Sequence, residues 1–231
     1  MQVNENSLRE ILEYFRSEPL ISVSGKAGTG KTSLVLFILS KLVSSNETCL
    51  WLQTSESFQV RRAKQFASAD NSTKDSFLNY IFVVPRKVCS SYSQQAIVLR
   101  NFMTNPSLES LGLKYMVIDN ISSLLRFELT RRKTIEEKVL LMNSFFSDSI
   151  FPMVMFCQRI DINLILIHEA TFVPGIGKTH KFFHKTFDKL DFLDVNLSKV
   201  WGANYNVLQI SDVRQKWSYK YKIGFPGFEF F

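Results

Sequence analysis

The sequence predicts an α/β fold: a mainly parallel central sheet with helices on both faces and a C-terminal antiparallel extension. Three observations lead there. The octapeptide Gly25-Lys26-Ala27-Gly28-Thr29-Gly30-Lys31-Thr32 fits the pattern G-x-x-x-x-G-K-[ST] and lies between the apolar run Leu20-Ile21-Ser22-Val23 and the apolar-periodic residues 33–43, the strand, glycine loop and helix that a phosphate loop requires. Downstream, apolar runs of strand length alternate with segments of helical period, as in a parallel sheet built from crossover units. Toward the C-terminus, short strand-like runs are separated by turn residues instead.

Taken in order, residues 7–16 place Leu8, Ile11, Leu12 and Phe15 at amphipathic spacing, with Ser7 as N-cap and Glu10 as its capping-box partner three residues on. After the helix at 33–43, residues 48–53 read as a strand and 58–69 as a helix. Residues 80–84 form a third strand closed by Pro85, and 92–103 a helix that stops near Asn105-Pro106. A fourth strand is expected at 114–119, helices at 134–146 and 149–159, and a fifth strand at 162–168. Beyond Thr171, residues 172–194 mix lysines, histidines, glycines and aromatics without clear period. Short strands follow at 204–210, 217–223 and 228–231, separated by Ser211-Asp212 and by Gly224-Phe225-Pro226-Gly227.

The glycines of the octapeptide let the backbone wrap a phosphate closely, with successive N–H groups turned inward and the helix N-terminus adding its partial positive charge. ATP or GTP is the expected ligand. Gly25, Lys26, Ala27, Gly28, Thr29, Gly30, Lys31, Thr32 and Ser33 are the expected nucleotide-binding residues. Lys31 would bridge the β- and γ-phosphates, and Thr32 would hold Mg²⁺. A structural glycine-rich turn would carry the same letters, yet the flanking strand and helix favour the phosphate loop. The other half of such a site is an acidic residue ending a buried strand. Asp119 ends the run Tyr115-Met116-Val117-Ile118-Asp119 and is the expected partner of the metal, through water. An aspartate that only caps the next helix would occupy the same place.

Composition narrows the class. With 231 residues, 45% of them hydrophobic, one large core and a single domain over residues 1–231 are expected. It divides into an N-terminal helix (1–18), a nucleotide-binding α/β core (19–170) and a loop with C-terminal strands (171–231). No run approaches the ~20 uninterrupted apolar residues of a membrane span, and Met1-Gln2-Val3-Asn4-Glu5-Asn6 lacks the regions of a signal peptide. Cys49, Cys89 and Cys157 are odd in number and far apart, which favours neither a disulfide framework nor a thiolate zinc site. A soluble cytoplasmic protein of a reducing compartment is the expectation. The net charge of +7 is consistent with a polyanionic partner such as nucleic acid. Arg131-Arg132-Lys133 form one basic cluster; Lys178, Lys181, Lys185 and Lys189, with His180 and His184, form another.

A family resemblance rests on these same segments. Asp119-Asn120-Ile121-Ser122-Ser123-Leu124-Leu125-Arg126 resembles the Walker B segment of the RecA/RadA recombinase superfamily, an aspartate followed by a short helix with an apolar pair and an arginine. Trp51-Leu52-Gln53-Thr54-Ser55-Glu56-Ser57-Phe58, followed by Arg62, resembles the family's second-strand signature. Residues 204–210 and 219–230 are similar to its late strands, so the resemblance covers most of the chain from about residue 20. It implies a RecA-like P-loop ATPase core that uses ATP and Mg²⁺, a DNA-dependent ATPase assisting homologous recombination and DNA repair. Because only some twenty residues precede the phosphate loop, it further implies a core-only archaeal RadA paralogue of the RadB or RadC kind. The implied partners are single-stranded DNA and a recombinase or paralogue protein, in a homo- or hetero-oligomer.

The chain departs from the family at two places. The family's water-activating glutamate follows the second-strand threonine; here Ser55 stands there and Glu56 one position later. Glu56 reaches the same water if the strand end is shifted, or it is an exposed loop acid, and both stay open. After the strand equivalent to Ile165-Leu166-Ile167 the family has a γ-phosphate-sensing glutamine, where this chain has His168-Glu169-Ala170. Glu169 or His168 substitutes as a polar ligand, or the pair stabilises the sheet end. Weak hydrolysis would follow, and with it the competing class of a nucleotide-gated adaptor that holds a partner protein. DNA contact would come from two loops, 126–134 and 171–191, through Arg131, Arg132, Lys133, Lys178 and Lys181, with Phe182 or Phe183 stacking on bases. The alternative is that Arg131 to Lys133 form a solvated helix start and the phenylalanines are core. Gly175-Ile176-Gly177-Lys178-Thr179 imitates a phosphate-loop ending, but Phe172 occupies its required glycine position; His180 and His184 lack a third metal ligand. A small-molecule kinase would need an arginine-rich lid, and none is seen.

Overall fold

Near-continuous Val, Ile and Leu runs make strands that are covered on both faces, and the central strands of this protein are of that kind. The computed structural model describes residues 5–68, 77–105, 108, 111–173, 178–182, 187, 189–212, 214–225 and 227–231. Strands β1 (Leu20–Gly25), β2 (Thr48–Gln53), β3 (Ile81–Val84), β4 (Leu113–Asp119) and β5 (Asn163–Ile167) are parallel, and β1 and β2 are buried at every residue. A hairpin of β6 (Ala170–Val173) and β7 (Lys178–Lys181) stands apart from the main sheet. Strand β8 (Leu193–Lys199) then joins parallel to β1, and β9 (Asn206–Ser211), β10 (Lys216–Ile223) and β11 (Phe228–Phe230) extend the sheet antiparallel. The result is a nine-stranded sheet in the order β11-β10-β9-β8-β1-β5-β4-β2-β3.

Helices cover both faces. On one lie α1 (Glu5–Ser17), α2 (Lys31–Leu42) and α3 (Val60–Ser68); on the other α4 (Tyr92–Met103), α5 (Ser123–Thr130), α6 (Ile135–Phe145) and α7 (Phe151–Arg159). Helix α2 is apolar all round, from Leu34 to Leu39, because it is packed on the sheet between α1 and α3. The expected fold class is the observed one: an α/β sheet, mostly parallel, with a C-terminal antiparallel extension, in agreement with a RecA-like core.

Three local expectations are corrected. Strand β8 falls where no strand was expected, although Leu193, Val195 and Leu197 alternate inward along it. The period-less stretch after Thr171 contains the β6–β7 hairpin. The helices expected at 134–146 and 149–159 are one run, because a π turn at Phe146–Ile150 carries α6 into α7 past Ser147 and Asp148. That run, Ile135–Arg159, is long and apolar enough by length and composition to cross a membrane. Its Phe145, Ile150, Met153, Val154, Phe156 and Cys157 are buried in the core beneath the sheet, while Ile135, Val139, Leu140, Phe151 and Met155 are exposed. The three cysteines are buried free thiols.

Candidate functional site

In open α/β sheets, ligands bind beyond the carboxyl ends of the strands. Here the ends of the neighbouring strands β1, β5 and β4 open onto a cavity of about 800 Å³. Its first wall is the octapeptide. Strand β1 stops at Gly25 and α2 starts at Lys31, so the loop between must reverse quickly; Gly28 at φ 71° and Gly30 at φ 92° are left-handed, the conformation that favours glycine. Gly30 is the N-cap of α2, and a side chain there would also strike Ile223 of β10. The first N–H groups of α2 have no intrahelical acceptor and are available to an anion.

The loop is braced from behind. The Thr29 hydroxyl, fully buried, donates to the Lys26 carbonyl at 2.9 Å, and the Thr29 carbonyl accepts the Tyr221 hydroxyl of β10 at 2.7 Å. Lys26, Ala27, Gly28, Gly30, Lys31, Thr32 and Ser33 line the cavity, while Gly25 and Thr29 stand behind that lining. The Lys31 ammonium folds back on its own loop, donating to the carbonyls of Gly25 at 3.0 Å and Lys26 at 3.1 Å. Burial lowers its pKa, and the charges of Glu169, Asp119 and Glu56 act in the opposite direction.

The facing wall comes from distant parts of the chain. Asp119, at the end of β4 and 1% exposed, accepts the Thr32 hydroxyl on Oδ2 at 3.0 Å. Burial pushes its pKa up to about 7, against the opposing pull of the Thr32 hydrogen bond. Its Oδ1 is buried without a hydrogen-bond partner. The Thr32 hydroxyl and the Asp119 carboxylate, whose second oxygen is unused, form a donor set that suits Mg²⁺, which takes one or two protein oxygens and completes its shell from phosphate and water. Among the described residues no three His, Cys, Asp or Glu side chains gather as a metal cluster.

Strand β2 delivers the second-strand signature to the same cavity. The buried Thr54 hydroxyl donates to the Asn120 carbonyl at 2.8 Å and the Ser55 hydroxyl to the same oxygen at 3.5 Å. Ser55 is thereby turned away, and the exposed Glu56 lines the cavity with Arg62. The structure also separates the pair after β5. His168 is fully buried, edge-on to the Phe187 ring with centroids 4.6 Å apart, and neither of its ring nitrogens has a partner. Burial and the nearby Lys181 charge hold its pKa to about 3, so it is neutral and faces away from the cavity. Glu169 lines the cavity together with Arg126.

The basic residues divide. Arg131 and Arg132 are exposed and reach Glu128 at 3.6 and 2.8 Å, with Arg131 also 4.8 Å from the centroid of the Phe127 ring; Lys133 is exposed beside them. Lys181 departs from the surface role expected of it: it is 8% exposed and its ammonium meets Asp194 of β8 at 2.6 Å. Lys178 opens β7 opposite Val173. Phe182 is half-buried, and its N–H donates to the Glu169 carbonyl at 3.0 Å. Phe183, His184, Lys185 and residues 174–177 lie outside the described residues. The Tyr221 brace and the Ser123 and Arg126 contacts to Glu169 were not foreseen; alternation along β10 marks Tyr219 and Tyr221 as inward, but no sequence signal aims one at a loop far upstream.

The chain is similar to a DNA repair protein. Over 109 residues it is 31% identical to the DNA repair protein rhp55 of Schizosaccharomyces pombe, a match covering 43% of this chain and 30% of that protein. The chain thus spans less than a third of the length of the curated relative it matches. No family model matches the chain. The similarity agrees, at superfamily level, with the RecA/RadA resemblance carried by the motifs and with the observed fold.

Proposed function

We propose that this chain is a RecA-like ATPase core that binds Mg-ATP and assists DNA recombination and repair. The observation that carries the reading is the Thr32–Asp119 hydrogen bond across the cavity, which joins the helix after the phosphate loop to the acidic end of β4 with Lys31 beside them. On arrival of the triphosphate, Lys31 exchanges the carbonyls of Gly25 and Lys26 for phosphate oxygens, and the free N–H groups of α2 complete the cradle. Thr32 and Asp119 would hold Mg²⁺, whose charge would neutralise the phosphates. Glu56 is the carboxylate proposed to orient the attacking water, and Arg131, Arg132, Lys133 and Lys178 the residues proposed to meet the backbone of single-stranded DNA. A recombinase or paralogue is the proposed protein partner, and the accessory role is of the RadB or RadC kind.

One specific observation favours the competing reading, a nucleotide-gated adaptor with little hydrolysis. Ser55, which stands where the family carries its water-activating glutamate, is bonded to Asn120, and Glu56, one position later, is exposed. ATP turnover with and without single-stranded DNA, with Lys31→Ala as the blank, decides between them. DNA-stimulated turnover that Lys31→Ala abolishes is expected for the ATPase. Tight binding of ATP with no turnover in either condition would exclude it for the isolated chain and leave the adaptor.

A further inference from the structure

We propose that Arg126 is the cation that binds the terminal phosphate of the nucleotide, and that Glu169 holds it beside the cavity until that phosphate arrives. The inference rests on the nucleotide-binding reading of the cavity. Glu169 has both carboxylate oxygens engaged: Oε1 accepts the Ser123 hydroxyl at 2.9 Å and Oε2 accepts Arg126 Nη1 at 2.9 Å. Its N–H donates to Ser122 Oγ at 3.1 Å, and that hydroxyl donates to Asn120 Oδ1 at 2.9 Å, so the arrangement is anchored to the residue after Asp119. A carboxylate held in this way has no hydrogen to offer a phosphate oxygen. The arginine on it has five N–H donors in a fork suited to phosphate, and both side chains line the cavity that Lys31, Thr32 and Asp119 share.

The pair is built to exchange. Arg126 is 48% and Glu169 34% exposed, and ion pairs of that exposure are weak because water screens them and the two side chains lose rotamer freedom. A terminal phosphate brings more negative charge than one carboxylate and accepts both arms of the guanidinium, so it outcompetes Glu169. A diphosphate, one phosphate shorter, leaves the pair intact. The exchange is also connected outward. Arg126 sits on α5, which ends at Thr130 and is followed directly by Arg131, Arg132 and Lys133, and the Glu169 carbonyl accepts the N–H of Phe182 just after the β6–β7 hairpin. Release of Arg126 from Glu169 therefore acts on the first turns of α5 and on the root of the hairpin together, coupling the terminal phosphate to both segments proposed to meet DNA.

The test is the ratio of affinities for a fluorescent ATP analogue and its ADP counterpart, measured with Mg²⁺ by equilibrium titration. Arg126→Gln is expected to lower the ATP-to-ADP affinity ratio by about 10- to 100-fold, the loss of a charged hydrogen-bonded contact, and Arg126→Lys to restore part of it. Glu169→Gln, which frees the guanidinium, is expected to raise the ratio several-fold, and to lose that gain when combined with Arg126→Gln. An ion pair that only stabilises the fold would weaken both nucleotides together, so an unchanged ratio in all of these variants overturns the inference. Failure of the unmodified chain to bind either nucleotide would instead overturn the nucleotide reading on which it rests.

Discussion

One wall of the cavity is continuous in sequence, from Gly25 to Thr32, and is shaped by two left-handed glycines and the start of a helix. The other is gathered from the ends of β4 and β5 and from α5: Ser123 and Arg126 meet Glu169 through side-chain hydrogen bonds, and Asp119 reaches across to Thr32 of the first wall. The first wall offers backbone N–H groups, those of the loop and those of the first turn of α2. The second offers side chains that can change partner at small cost. On the proposed nucleotide reading, the difference teaches that the loop would provide affinity for phosphates as such, discrimination among nucleotides and dependence on pH would belong to the facing wall, and the metal would be shared between Thr32 and Asp119.

The largest expected effect breaks the first wall. Lys31→Ala should lower the affinity for ATP and ADP alike by about 100-fold in calorimetric titration, since a charged donor to phosphate is lost. Retention of affinity within a few-fold would mean that the facing wall carries binding, and the contrast would fall.

A second variant sharpens the contrast through pH. The Asp119 carboxyl has its pKa raised by burial from the ordinary 3.8 to about 7. The folded protein therefore keeps a proton that the unfolded chain has already released, and the stability of the nucleotide-free protein falls as pH rises from about 4 to about 7, then levels. Asp119→Asn should remove that slope and raise the melting temperature at pH 8. It should also stop Mg²⁺ from tightening nucleotide binding, because the amide supplies no charge to the ion. In the unmodified protein, lowering the pH below about 7 should weaken that Mg²⁺ effect as protons compete for Asp119. A melting curve independent of residue 119, or a magnesium effect that survives the substitution, would remove Asp119 from the site.

The smallest effect concerns the brace behind the first wall. Tyr221→Phe deletes the hydrogen bond to the Thr29 carbonyl, which should cost about 1 kcal/mol and shift the melting temperature by roughly 2–4 °C. Affinities for both nucleotides should drop together by a few-fold, with the ATP-to-ADP ratio unaltered. A change in that ratio would show that the loop takes part in discrimination after all.

Much of the fold is legible in the sequence wherever the decisive interactions are local. Residues 48–53 and 92–103 match β2 and α4 to the residue, because an unbroken apolar run and a Ser91 cap with a following helical period each act within a few positions. The break expected between 146 and 149 does not occur. Ser147 and Asp148 are poor helix formers, but packing of Phe145 and Ile150 on either side carries the chain through as a π turn. Strand β8 escaped notice because its alternation is short and follows a stretch without period, yet pairing to β1 places it in the middle of the sheet. Lys181 shows the same limit for a single residue: in sequence it is one more lysine of a basic cluster, and in the fold its side chain is buried and pairs with the partly exposed Asp194.

By itself, then, the amino-acid order determined the strand, glycine loop and helix of the first wall, the acidic end of β4 and the fold class, since each depends on backbone preferences and apolar periods read over a few consecutive residues. Only the tertiary structure decided which strands are neighbours, and hence that Tyr221 braces Thr29, that His168 turns into the core while Glu169 turns into the cavity, and that Arg126 rests on Glu169. Those contacts join residues far apart in the chain, where no local preference acts and only the packing of the assembled sheet brings the side chains within reach.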